Sequence, residues 1–148
     1  MLFFEEKKQE LLIATLVGIT SVGIAYSTYL GSLASWSSVA NYSKSNLELN
    51  DANATYLASV ADNSLTDEER AELHKIYETQ WDKSATLIEQ ADNDNNRSDR
   101  YTLVSVLYTV ILFLGSMATT ARTIKYRWSY LSSGYFLFLC VTIGMLLI

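Results

Sequence analysis

Proline is absent from all 148 residues, so the chain carries none of the commonest breaker of long helices. Cysteine is nearly absent. Cys140 stands alone, which excludes an intrachain disulfide and a cysteine-based zinc framework. His74 is equally solitary, and one imidazole leaves a histidine metal site short of ligands unless a partner supplies the rest. A basic excess is missing too: the net charge is -5, whereas a nucleic-acid partner would require a positive surface to meet its phosphates. No metal, cofactor or nucleic acid is therefore expected.

Charge is also missing in particular places. No Asp, Glu, Lys, Arg or His occurs in residues 11–30, 101–121 or 129–148. At about 1.5 Å of rise per residue, each run is close to the length of helix that crosses a hydrocarbon core of about 30 Å. The clearest is Tyr101 to Ala121, bracketed by Arg97, Asp99 and Arg100 before it and by Arg122, Lys125 and Arg127 after it. The expected fold class is an all-α membrane protein with three transmembrane helices. A charged leader, residues 1–10, precedes the first run. Leader and apolar run together have the form of a signal peptide, but the run exceeds a usual signal core and is read as a retained span.

Residues 31–100 are polar, with thirteen Asp/Glu against six Lys/Arg. They carry helical periodicity. Leu33, Ala40, Leu47, Ala54 and Ala61 recur every seven residues, with Trp36 and Leu57 between them, and form one apolar stripe. Leu73, Tyr77, Gln80, Ser84, Leu87 and Ala91 form a second, reinforced by Ile76 and Ile88. Between the stripes, D-N-S-L-T-D-E-E supplies a turn near residues 62–66. Thr66 with Glu69 fits a capping box, and Asp67 and Glu68 suit the positive end of a helix dipole. The expectation is a long antiparallel helical hairpin, its arms paired through the two stripes, projecting outside the membrane.

The short loop 122–128 carries Arg122, Lys125 and Arg127, and Tyr126, Trp128 and Tyr130 are placed as an interfacial aromatic belt. Positive loops stay in the cytoplasm, and Lys7 and Lys8 fall on the same side. The N terminus is thus expected inside and the acidic hairpin outside.

Few residues point to chemistry. Asp92, Asp94 and Asn96 resemble the first half of a calcium loop, but Arg97 stands where glycine is needed and Leu103 where a bidentate glutamate is needed; a solvated helix junction is the plainer reading. Asn41, Asn53 and Asn96 open sequons that matter only in a glycosylating cell. With no ionisable group at membrane depth and no nucleophile with a base, neither an enzyme nor a lone transporter is expected. Arg97, Asp99 and Arg100 are expected to form a structural charge cluster where the hairpin meets lipid, Asp99 pairing within the junction or with the first arm.

Packing signals are stronger. In the first span Ala14, Gly18, Ser21 and Ala25 form one track of small residues, and Gly23, Ser27, Gly31 and Ser35 form another on roughly the opposite side. Such tracks let helix backbones approach closely in lipid. One neighbouring helix in the same chain fills one track, which leaves the other for an outside partner.

The tract N-N-R-S-D-R-Y-T-L-V-S-V-L-Y-T-V-I-L-F-L-G-S-M-A-T-T-A-R, Asn95 to Arg122, resembles an uncharacterised family of small prokaryotic three-span membrane proteins. In that family an N-x-R-S-D-x-Y motif closes a polar helical segment before two final spans. Looser similarity occurs at Trp36 to Tyr42. The family has no assigned activity, so the resemblance implies a three-span layout and a prokaryotic plasma membrane and lends no function; the polar segment here is shorter. The resulting expectation is a non-catalytic accessory or structural subunit of a larger membrane complex, its partners other membrane subunits or itself, and the lipid bilayer. The alternative is a stand-alone homo-oligomer, a pore or an extracytoplasmic sensor, with Ser105, Thr109, Ser116 and Thr120 facing its axis.

Overall fold

A computed structural model describes residues 2–148, with side chains from Glu6 onward. Three helices account for nearly all of it: α1, Leu2–Ala61; α2, Asp67–Thr120; and α3, Ile124–Leu146. No strand occurs among the described residues. All three helices are long and apolar enough to cross a membrane, which marks the chain as a membrane protein by length and composition. Residues 2–10 of the expected leader belong to α1, and Gln9 is buried.

The chain divides into two compact units. One joins the chain up to Ser32 with Arg97–Ile148; the other is Leu33–Asn96. In the first unit α1, α2 and α3 form a three-helix bundle whose core is Ile13, Leu16, Val104, Tyr108, Ile111, Ala118, Leu131 and Val141. Tyr108 is the largest fully buried side chain. Its ring lies 5.7 Å from that of Phe138, and its hydroxyl bonds the Thr142 hydroxyl at 2.9 Å, which ties α2 to α3. The Tyr135 hydroxyl donates to the Leu12 carbonyl at 2.9 Å and ties α3 to α1. Glycine permits the closest approach here: a Cβ at Gly134 would meet Leu16 Cδ2 at 2.7 Å.

The connection from α2 to α3 is shorter than the expected loop. Only residues 121–123 are non-helical, so Lys125 and Arg127 lie in the first turn of α3. Arg127 folds back instead of extending the loop: its Nε donates to the Ala121 carbonyl at 2.9 Å, satisfying a group left open at the end of α2. Its guanidinium also lies 3.8 Å from Glu6.

In the second unit α1 and α2 run antiparallel about the turn at residues 62–66. The capping box forms. Glu69 accepts from the Thr66 backbone N–H and hydroxyl, both at 2.8 Å, and the Thr66 hydroxyl accepts from the Glu69 N–H at 3.3 Å. The Thr66 backbone N–H, then its hydroxyl, hold the Glu69 carboxyl below the usual carboxylate range. Asp62 is lowered in the same way by the Ser64 hydroxyl and then the Ser64 N–H. Arg70 closes the end of α1 by donating to the Asp62 carbonyl at 3.0 Å and the Ser59 carbonyl at 3.4 Å.

The seam between these arms departs from expectation on one side. Leu73, Tyr77, Gln80, Ser84, Leu87 and Ala91 of α2 face α1 as their period predicts. The α1 stripe does not face α2. Leu33, Trp36, Leu47 and Leu57 are 49%, 74%, 62% and 63% exposed, and Ala40, Ala54 and Ala61 are exposed as well. Ala34, Ser38, Ser45 and Ala52 are buried in their place. The side chains buried on α2 are small too, Ser84 and Ala91, so the backbones come close and the short side chains bring polar groups into contact. Ser45 and Ser84 bond through their hydroxyls at 2.8 Å, Thr55 donates to Gln80 at 3.1 Å, Ser37 donates to Asp94 at 2.5 Å, and Lys83 pairs with Glu48.

Candidate functional site

The two small-residue tracks of the first span receive different neighbours. Gly23, Ser27 and Gly31 turn inward against α2. A Cβ at Gly23 would sit 2.9 Å from Tyr108 Cζ, and one at Gly31 would sit 3.3 Å from Tyr101 Cβ. Ser27 is fully buried and shares a 2.7 Å hydroxyl contact with Ser105, to which Thr28 adds a bond at 3.3 Å. This track is the internal packing surface of the bundle.

Ala14, Gly18, Ser21 and Ala25 are exposed. A Cβ added at Gly18 meets nothing within 4 Å, and the Ser21 hydroxyl is turned back onto the Val17 carbonyl at 2.8 Å, so its face offers only small, self-satisfied groups. At its N-terminal end the track opens on a cavity of about 390 Å³ lined by Glu10, Ile13, Ala14, Val17, Thr119 and Arg127. On the inward side of α1, Gln9 and Thr20 have buried side-chain polar atoms with no hydrogen-bond partner among the described residues. The arrangement suits packing against another helix: a smooth surface without exposed hydrogen-bonding demand, flanked by Ile19 and Val22 at 37% and 70% exposure.

The other residues singled out in the sequence are not brought together. Arg97, Asp99 and Arg100 are exposed, and no ion pair joins them to one another or to α1 among the described residues. Arg122 and Lys125 are exposed, and Arg127 is half-buried in the contacts given above. Asp92 and Asp94 lie within α2, where residues two apart point about 200° from each other instead of converging on an ion. Both carboxylates accept bonds from α1: Asp92 from the Tyr42 hydroxyl, Asp94 from Ser37 and, at 3.3 Å, from Asn41. The Asp92 bond, assisted by burial and by the carboxylate's charge, holds the Tyr42 hydroxyl above its ordinary pKa. No group of three metal-ligating side chains occurs among the described residues. Of the hydroxyls assigned to a pore axis, Ser105 is committed to Ser27 and Thr28, while Thr109, Ser116 and Thr120 bond carbonyls of their own helix.

What sequence reasoning missed is the small polar seam of α1. The signal was present: Ser38, Ser45, Ala52 and Ser59 repeat every seven residues beside the larger apolar stripe. Comparison with family models, curated proteins and solved structures returns no match to this chain.

Proposed function

We propose that the chain is a non-catalytic accessory or structural subunit of a larger integral membrane assembly, joined to another membrane protein through the outward face of its first span. One observation carries the reading: of two small-residue tracks on one helix, the inner is filled by Tyr101, Ser105 and Tyr108, while the outer has no neighbour at Gly18. In lipid no hydrophobic effect drives helices together, so close backbone approach over small residues is a principal source of association. The partner is a transmembrane helix that seats along Ala14, Gly18, Ser21 and Ala25. Its membrane is a prokaryotic plasma membrane, with the N terminus and the basic Arg122–Arg127 turn inside and the acidic hairpin outside, as the positive-inside rule requires.

The test is quantitative purification from native membrane in mild detergent. Gly18→Leu should release a partner that stays bound to the Ile19→Leu control, while the variant remains inserted and helical. Retention of every partner by Gly18→Leu would refute the docking face. For orientation, a cysteine at Ser64 in a Cys140→Ser background should react with a membrane-impermeant reagent added to intact cells, and one at Thr123 should not. The reversed pattern would overturn the topology.

A further inference from the structure

The hairpin Leu33–Asn96 has its apolar side chains on the outside of α1. Against α2 that arm buries only alanines and serines, whereas Leu33, Trp36, Val39, Leu47, Leu57 and Val60 are 49% to 74% exposed. An apolar face of this extent in a polar segment marks an interaction surface. Its spacing is specific. Leu33, Ala40, Leu47, Ala54 and Ala61 form one seven-residue series, and Trp36, Ser43, Asn50 and Leu57 form a second, three residues on; all nine are exposed. Seven of the nine are apolar, with Ser43 and Asn50 the exceptions, and two interleaved, mainly apolar heptad series on one helix face have the pattern of a coiled-coil seam.

We infer that this face pairs with the same face of a second copy of the chain, forming a parallel, in-register two-stranded coiled coil along α1. Three observations favour a second copy over an unrelated helix. Copies inserted in one membrane with one orientation run parallel, so identical heptads fall into register without adjustment. The flanks of the seam also tolerate their own counterparts. One carries Ser37, Lys44, Asp51 and Ala58, the other Val39, Asn46, Asn53 and Val60. In a parallel pair each flank meets the opposite flank of the other strand, so Lys44 and Asp51 meet uncharged side chains and no like charges are opposed. Finally, the acid of the hairpin lies elsewhere: from Asp67 to Asn96, α2 has nine acidic residues against three basic. Pairing through α1 keeps the two acidic arms on opposite sides of the dimer. A basic partner drawn by charge would instead seek α2. Asn50, opposite its own counterpart, can satisfy its amide across the seam and so discourages slippage by a heptad.

This pairing is independent of the docking proposed for the first span, and the experiment separates the two. Single cysteines are placed in turn from Ser43 to Asn50 in the full-length Cys140→Ser protein and oxidised in native membrane. Disulfide-linked dimer should peak at Ser43, Leu47 and Asn50 and fall to background at Ser45 and Glu48, which face α2. A companion variant, Trp36→Glu with Leu47→Glu, should abolish co-purification of two differently tagged copies while helix content, read by circular dichroism, stays unchanged. Absence of dimer at every position, peaks out of phase with the seam, or cross-links only to a different protein would each overturn the inference. Gly18→Leu should leave the Leu47 cross-link intact, so loss of the span partner and loss of self-pairing read separately.

Discussion

Gly23 of α1 lies flat against the ring of Tyr108 of α2, so closely that one added carbon would stand 2.9 Å from Tyr108 Cζ. The ring cannot yield, because Tyr108 is 2% exposed and its hydroxyl is bound to Thr142. Gly23→Ala should therefore destabilise the bundle by about 1–3 kcal/mol, the usual cost of overpacking a filled interior. Gly18→Ala, with open space at its Cβ, should be neutral. Denaturation midpoints of the two variants in detergent provide the comparison.

The hairpin seam offers a second prediction. Ser45 and Ser84 are buried with their hydroxyls 2.8 Å apart. Ser84→Ala should cost about 1 kcal/mol by orphaning the Ser45 hydroxyl, Ser45→Ala should cost less because the Ser84 hydroxyl keeps its 3.2 Å bond to the Ser45 carbonyl, and changing both should cost less than the sum. A double-mutant cycle on thermal unfolding measures the difference.

The same pair distinguishes the observed seam from the one its hydrophobicity suggests. In a Cys140→Ser background, Ser45→Cys with Ser84→Cys should oxidise to an intrachain bridge. Leu47→Cys with Leu87→Cys should not, because Leu47 faces away from α2. Mobility on a non-reducing gel reads the result.

The turn should respond to acid. Asp62 and Glu69 are lowered in the folded chain by bonds from Ser64 and Thr66. A carboxyl with a depressed folded pKa contributes stability above its unfolded pKa and loses it as pH falls through the folded value. Protection of the Thr66–Arg70 amides against exchange, taken relative to their intrinsic rates at each pH, should fall below about pH 4, the usual carboxylate range. Glu69→Gln keeps an acceptor for the cap and should weaken that pH dependence.

The three helices were legible because nothing in the chain contradicts them. Uncharged runs near membrane length, no proline, and a Thr66/Glu69 box at the turn all agree. The α2 stripe from Leu73 to Ala91 was legible by its period: Ser84 and Ala91 are buried and Leu73, Tyr77, Gln80 and Leu87 half-buried against α1, although Ile76 and Ile88, read as reinforcing it, are 42% and 41% exposed. On α1 two seven-residue series run side by side, and hydrophobicity favours Leu33–Leu47 over Ser38–Ser45. The buried series wins because α2 supplies bulk and hydrogen-bond partners to small polar residues, a fact located on the other helix. The inward assignment of Gly23, Ser27 and Gly31 likewise depends on Tyr101, Ser105 and Tyr108. Helical phase separates the two tracks, but only the neighbour decides which is covered.

The turn also sets an order of assembly. Arg70 bonds carbonyls 8 and 11 residues away, Thr55 meets Gln80 across 25, Ser45 meets Ser84 across 39, and Ser37 meets Asp94 across 57. Loop-closure entropy rises with separation, but each contact already made shortens the loop the next must close. The arms therefore close as a zipper from the tip. A chain whose tip is slow to turn delays every rung behind it, however sound those rungs are.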